Sequence, residues 1–247
     1  MSRTPGLFIL AGLIAALAAG CGGKSTPARV TVVLFDLTAT TNSGTIRQQY
    51  LKDFSKVLNE SAGGVITADI IDDNPLAHSS FLINETFDAY QPLKENKLDY
   101  DRRTLQKRQA VLKEAEAVVR RRTSKRLGTN VLDALQAAER VFATYDDHAK
   151  LLVIFSDMIE QSKRYNFASE SLTAARVGQI IARERSAGRL PELTGVEVCV
   201  VGAGATTSGS LSTERLTAIR DFWLKYFEAA GASLPKQRYG SSLLKCP

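Results

Sequence analysis

Apolar runs of strand length alternate along the chain with stretches in which apolar side chains recur every three or four positions. Residues 29–36, Arg29-Val30-Thr31-Val32-Val33-Leu34-Phe35-Asp36, predict a buried strand that ends in a polar loop. Residues 45–59 carry Ile46, Tyr50, Phe54 and Val57 at helical spacing. Residues 65–71, 149–155 and 196–201 repeat the strand pattern. Further helices are expected over 101–126, with Leu105, Leu112, Ala115 and Val119 on one face, and after Gly128, with Leu132, Leu135, Ala138 and Phe142 in register. Two more are expected over 169–187, closed by Gly188, and over about 212–230, with Gly231 as the stop. The 72–100 stretch is the least regular, and 79–84 reads as an edge strand. Continuously apolar strands separated by helices imply a mainly parallel sheet covered on both faces. The expected fold is therefore α/β and doubly wound, in which ligands bind beyond the carboxyl ends of the strands.

The first twenty residues read differently. Arg3 precedes an uncharged apolar run over residues 7–17, too short for a bilayer span and suited to the core of a secretory signal. Ala18-Ala19-Gly20-Cys21 resembles the bacterial lipobox, with Ala18 where Leu is commonest. That resemblance implies a signal peptide over 1–20, a lipidated Cys21, and a tether over 21–28 built of Gly22, Gly23, Lys24, Ser25, Thr26 and Pro27. No Asp follows Cys21, which by the same analogy favours the outer membrane of a bacterial envelope. Residues 29–247 then form one domain, with no internal repeat and no second domain.

Composition adds limits rather than identity. Hydrophobic residues make up 44% of the 247 and charged residues 23%, enough apolar material for a real core. The net charge of +6 aids solubility and names no partner. Much of the excess lies on the 101–126 helix, which reads as a solvated basic face; anionic lipid heads are the other candidate. The same basic face would also suit nucleic acid, but export and the sparse interleaving of aromatics argue against that role. An exported compartment permits a bridge between Cys199 and Cys246, and the alternative is a buried thiol at Cys199 with a frayed tail.

Candidate chemistry sits in three loops rich in hard oxygen donors. Asp36-Leu37-Thr38-Ala39-Thr40 follows the first strand. Gly128-Thr129-Asn130 precedes a helix. Ser156-Asp157-Met158 follows the 149–155 strand. In this order the loops resemble the von Willebrand factor A-type family, whose metal-ion-dependent adhesion site uses Asp-x-Ser-x-Ser, a Thr from a second loop and an Asp from a third. Here Thr38 and Thr40 stand for the two Ser, and Met158 stands for a common Gly. The segment from Phe222-Trp223 through Tyr226-Phe227 to Tyr239-Gly240 also resembles a lipoprotein branch of that family.

The resemblance implies a divalent cation, Mg²⁺ or else Mn²⁺ or Ca²⁺. Its hydroxyl ligands would be Thr38, Thr40 and Thr129, with Asp36 and Asp157 acting through water. A protein partner would offer an acidic side chain to the open position. Hard cations with oxygen shells suit this donor set.

Other chemistries fit less well. Asp36 as a haloacid-dehalogenase-like nucleophile lacks its second Asp, since Thr38 occupies that place. Gly202-Ala203-Gly204 lacks the third glycine of a dinucleotide loop, since Thr207 stands there. His78 and His148 lack zinc spacing, and no Gly-x-Ser-x-Gly elbow occurs. The expectation is a binding module rather than an enzyme. That phosphatase and a metal-free structural subunit of an envelope complex are the alternatives.

Overall fold

The computed structural model describes residues 28–121, 128–205, 211–243 and 246. Among them, six strands form one sheet in the order β3-β2-β1-β4-β5-β6. These are β1 (Arg29–Asp36), β2 (Val65–Ile71), β3 (Ile83–Thr86), β4 (Ala149–Phe155), β5 (Val196–Val201) and β6 (Tyr239–Gly240). All neighbouring pairs are parallel except β2 with β3. The central strand β1 is rich in β-branched residues and buried from Val30 to Asp36. Its side chains alternate between two cores. Val30, Val32 and Leu34 face one, and Val33 and Phe35 face the other.

Helices α3 (Val131–Phe142), α4 (Ala174–Ser186) and α5 (Thr213–Ala229) cover the first face. Phe167, Phe222, Trp223, Tyr226 and Phe227 make an aromatic cluster there, with Phe167 and Phe222 centroids 4.5 Å apart. Helices α1 (Gly44–Asn59) and α2 (Lys97–Arg121) cover the second face. α1 buries Tyr50, Phe54, Val57 and Leu58, one stripe of a helix. Three helices begin on side-chain caps: Asn130 accepts from Asp133 N, Thr173 from Arg176 N and Ser212 from Arg215 N. Gly231 at φ 79° closes α5, in the left-handed region open to glycine.

Several boundaries differ from expectation. The edge strand is Ile83–Thr86, displaced along the 79–84 segment to the stretch that pairs with β2. α4 starts at Ala174, where the Thr173 cap stops the 169–173 turn from joining it. α2 begins four residues earlier than expected, at Lys97, and 122–127 lie outside the described residues. Its buried residues are Tyr100, Val111, Ala115 and Val119, whereas Leu105 is 54% exposed. Apart from Tyr100, the first turns of this long helix lie beyond the core. The signal, Cys21 and the tether also lie outside the described residues, apart from Ala28. Cys199 and Cys246 form a disulfide with Cα atoms 5.8 Å apart, on the face covered by α1 and α2.

Candidate metal centre

The three loops meet at the carboxyl edge of the central strands. β1 and β4 are neighbours in register, Phe35 beside Phe155, so Asp36 and the Ser156-Asp157 loop leave the sheet side by side. The Gly128-Thr129-Asn130 loop, just before α3, completes the group. Thr129 N donates to Gln161 O at 2.9 Å, and Gln161 N donates to Thr129 O at 2.8 Å, stitching this loop to the segment that follows Asp157. Gly128 makes that approach feasible. Its φ is 130°, and a Cβ there would lie 3.0 Å from the Gln161 carbonyl oxygen.

All five expected residues come together and are buried: Asp36, Thr38, Thr40, Thr129 and Asp157. Asp36 Oδ1 accepts from Thr38 N at 3.0 Å and from Thr38 Oγ1 at 2.6 Å. Thr129 Oγ1 donates to Thr38 Oγ1 at 2.8 Å, and Thr40 Oγ1 lies 3.4 Å from Thr38 Oγ1. The Thr38 hydroxyl is therefore the point where all three threonines converge.

Two further hydroxyls belong to the centre and were not singled out in the sequence. Ser156 Oγ donates to Asp36 Oδ2 at 2.7 Å. Thr41 Oγ1 donates to the Asp36 backbone oxygen at 2.8 Å. Both adjoin motif residues, which is the only signal the sequence carries for them.

The electrostatics of this pocket are uneven. Burial raises the Asp36 carboxyl above its ordinary value, against the hydrogen bonds of Thr38 and Ser156. Burial, and then the Asp36 charge, push Asp157 up to about 8. Asp157 Oδ1 accepts from Ile159 N at 2.9 Å. Its Oδ2 is buried with no hydrogen bond of normal geometry, although the Thr40 hydroxyl is near enough to lower its pKa. Among the described residues neither carboxylate is in an ion pair. Arg47 senses the Asp36 charge but directs Nη1 at the Val119 carbonyl, 3.0 Å away.

Two crowded buried carboxylates, one oxygen without a partner and three converging hydroxyls fit a hard divalent cation. Among the described residues no group of three or more His, Cys, Asp or Glu is placed to hold a metal, so hydroxyls must complete the donor set.

Met158 occupies the place of a common Gly at a cost in backbone strain. It is a non-glycine residue at φ 63°, a conformation that costs about 1 kcal/mol or more. Its neighbours hold it there. Its N–H donates to Ser156 Oγ at 2.9 Å, its carbonyl accepts from Trp223 Nε1 at 2.8 Å, and its side chain is buried. Glu160, also absent from the sequence motifs, accepts from Val131 N at 2.8 Å and Leu132 N at 3.2 Å, anchoring the start of α3. Beside Asp157 an open cavity of about 190 Å³ is lined by Gly204, Leu216, Arg220 and Tyr239. Of the five residues, Asp157 lines it.

No family model matches the chain, and no curated protein matches it. Among solved structures, proximal thread matrix protein 1 from the mussel byssus is 11% identical over 88% of this chain, with a TM-score of 0.45. This chain spans 44% of that one. BatB from Bacteroides thetaiotaomicron is 11% identical over 87% of this chain and 92% of its own, with a TM-score of 0.47. A von Willebrand factor type A structure from Catenulispora acidiphila is 14% identical over 83% of this chain and 43% of its own, with a TM-score of 0.39. These likenesses are loose, so the fold type rests on the chain's own topology. With one antiparallel edge strand, helices on both faces and three motif loops at the carboxyl edge, the fold is doubly wound α/β, the arrangement that the resemblance to the von Willebrand factor A-type family implies.

Proposed function

We infer that the chain is an envelope-anchored lipoprotein whose domain binds a divalent cation and, through it, an acidic side chain of a protein partner. One observation carries the reading. Asp36 and Asp157 are buried together without an ion-pair partner among the described residues, in a ring of threonine hydroxyls. A buried anion pair of this kind is costly unless it is neutralised or loaded. Thr38, Thr40 and Thr129 would supply hydroxyl oxygens, and Asp36 and Asp157 would supply charge, directly or through water. When bound, the cation supplies a Lewis-acidic position for a carboxylate. Mg²⁺ suits the site first, with Mn²⁺ and Ca²⁺ next.

The non-enzymatic reading is favoured by the state of Asp36. Both its carboxylate oxygens accept hydrogen bonds and its side chain is buried, which is a poor setting for an attacking nucleophile. The anchor reading rests on the signal-like residues 1–20 and on Cys21.

The test is thermal unfolding with Mg²⁺, Mn²⁺ or Ca²⁺ against chelator. At a cation concentration of about 100 times Kd, stability should rise by about 2.7 kcal/mol. Asp36→Ala should abolish that rise while circular dichroism stays native. No shift with any of the three cations in the wild type overturns the metal reading. Partner capture indifferent to chelator would then point to a metal-free structural subunit.

A further inference from the structure

All three large apolar side chains that stand exposed among the described residues fall in one short segment. Leu93 is 100% exposed, Leu98 66% and Leu105 54%. Leu98 and Leu105 are two helical turns apart on α2, with Arg102 between them on the same stripe. Residues 94–113 also hold seven Lys and Arg against three Asp and Glu.

The segment lies at the end of the molecule opposite the metal centre. α1 leaves the centre and runs down to Asn59, and α2 runs back up beside it. Arg108 Nη2 reaches the Asn59 carbonyl at 2.8 Å, while Arg47, at the start of α1, reaches the Val119 carbonyl. The turns before Arg108 therefore stand at the amino ends of the strands. Lys107 Nζ donates to Thr86 O at 2.6 Å, and Thr86 pairs with Val65, the first residue of β2. Tyr100 donates to Asp88 O at 3.0 Å, and Ala89 packs on Gly63. Of residues 97–107 only Tyr100 is buried, so this end of α2 contributes little to the core.

The chain enters the domain at that same end, at Arg29 in β1, whose carbonyl lies against Gly64. From Cys21 to Ala28 is a seven-residue step, which spans at most about 25 Å. A lipid at Cys21 would hold this end, and not the metal centre, against the bilayer.

We propose that the 90–108 segment is a membrane-resting foot, with Leu93, Leu98 and Leu105 entering the headgroup layer and Lys94, Lys97, Arg102 and Arg103 meeting anionic lipid. The proposal rests on the anchored reading of the chain. Leucines beside basic residues on one exposed stripe are the signature of an interfacial surface. The ion pairs of Lys97 with Asp101 and of Arg102 with Asp99, the latter at 3.7 Å, are exposed and cost little to exchange for phosphate, whereas the Glu95 partner of Arg103 is part-buried. The consequence is orientation, since the domain would stand with its metal centre pointing away from the membrane.

The test is hydrogen exchange on the full chain bound to vesicles of pure phosphatidylcholine or of phosphatidylcholine with about one-third phosphatidylglycerol. Peptides within 90–108 should exchange about tenfold more slowly on the anionic vesicles, and peptides around Asp36 should be unchanged. Leu98→Glu with Leu105→Glu, or Arg102→Glu with Arg103→Glu, should erase the slowing; these side chains are exposed, so the fold persists. Equal exchange on both vesicles, or no vesicle association, overturns the proposal. So does slowing without vesicles that grows with protein concentration, which would make a second copy the occupant. Intact mass of the same sample reads acylation at Cys21 separately. An unmodified Cys21 removes the anchor and leaves the exchange result to stand or fall alone.

Discussion

Two of the groups of buried carboxylates in this molecule are treated in opposite ways. Glu184, fully buried on α4, is met by Arg189 at 2.8 Å through both its oxygens, by Tyr165 Oη at 2.7 Å and by Arg164 at 3.8 Å. Burial alone would raise its pKa, but the Arg189 and Tyr165 hydrogen bonds and the nearby arginine charges bring it below the ordinary glutamate value. Burial, and then Glu184, push the Tyr165 phenol up to about 12. At the carboxyl edge, Asp36 and Asp157 have hydroxyls and backbone N–H groups for company, and both are raised. Glu160, between the two regions, is raised to about 8, chiefly by burial. At Glu184 the carboxylate is neutralised by the protein's own arginines. Asp36 and Asp157 have no such counter-charge among the described residues, and on the proposed reading a bound cation would relieve that cost.

The sharpest way to break this contrast is to remove the neutralised member. Glu184→Ala leaves Arg189, Arg164 and Tyr165 without their shared acceptor and should cost about 3 kcal/mol, at the low end for a buried pair because both arginines are part-exposed. Urea unfolding measures it. A loss below about 1 kcal/mol would mean that the cluster is ornamental.

The next effect is in pH. Glu160 keeps its proton in the folded state up to about pH 8, while the unfolded chain loses it near the ordinary glutamate value. Between those values the folded state binds more protons, so stability falls as pH rises, by up to about 1.4 kcal/mol per pH unit for this group. Glu184 acts with the opposite sign, since its contribution is lost only as acid protonates it below the unfolded value. In chelator, unfolding midpoints should therefore decline from pH 5 toward pH 8, and Glu160→Gln should lessen the decline, the remainder coming from Asp157, also raised to about 8, and from Asp36. A midpoint that climbs across that window contradicts the assignment.

The smallest effect has the most telling sign. Asp157→Asn removes one of two repelling buried charges, so in chelator at pH 8 the variant should be as stable as the wild type or about 1 kcal/mol more so. The same substitution should remove most of the stabilisation by Mg²⁺. A variant that loses stability equally with and without cation would class Asp157 with Glu184.

Much of this was legible in the residues. The apolar runs at 29–36, 65–71, 149–155 and 196–201 became β1, β2, β4 and β5, because a strand buried on both faces has no polar alternation to obscure it. The three motif loops were visible because each follows a strand or opens a helix. The edge strand and the β6 pair were not legible in place. Ile83–Thr86 is partly exposed, and Tyr239–Gly240 is only two residues long; both are defined by the neighbour they pair with. Leu105 was expected on the buried stripe of α2 because periodicity shows which residues share a face. How far along the helix the core extends depends on the packing partner.

The sequence alone determined the order of elements, the polar loops at the strand ends and the donor types in them, because these follow from local periodicity and side-chain chemistry. Only the tertiary structure decided that Thr129, 91 positions from Thr38, donates to its hydroxyl, that Ser156 serves Asp36, and that Met158 accepts a left-handed backbone held by Trp223. Those contacts depend on which strands lie side by side in the sheet. That order is set by long-range packing of the two cores, and no local stretch of sequence contains it.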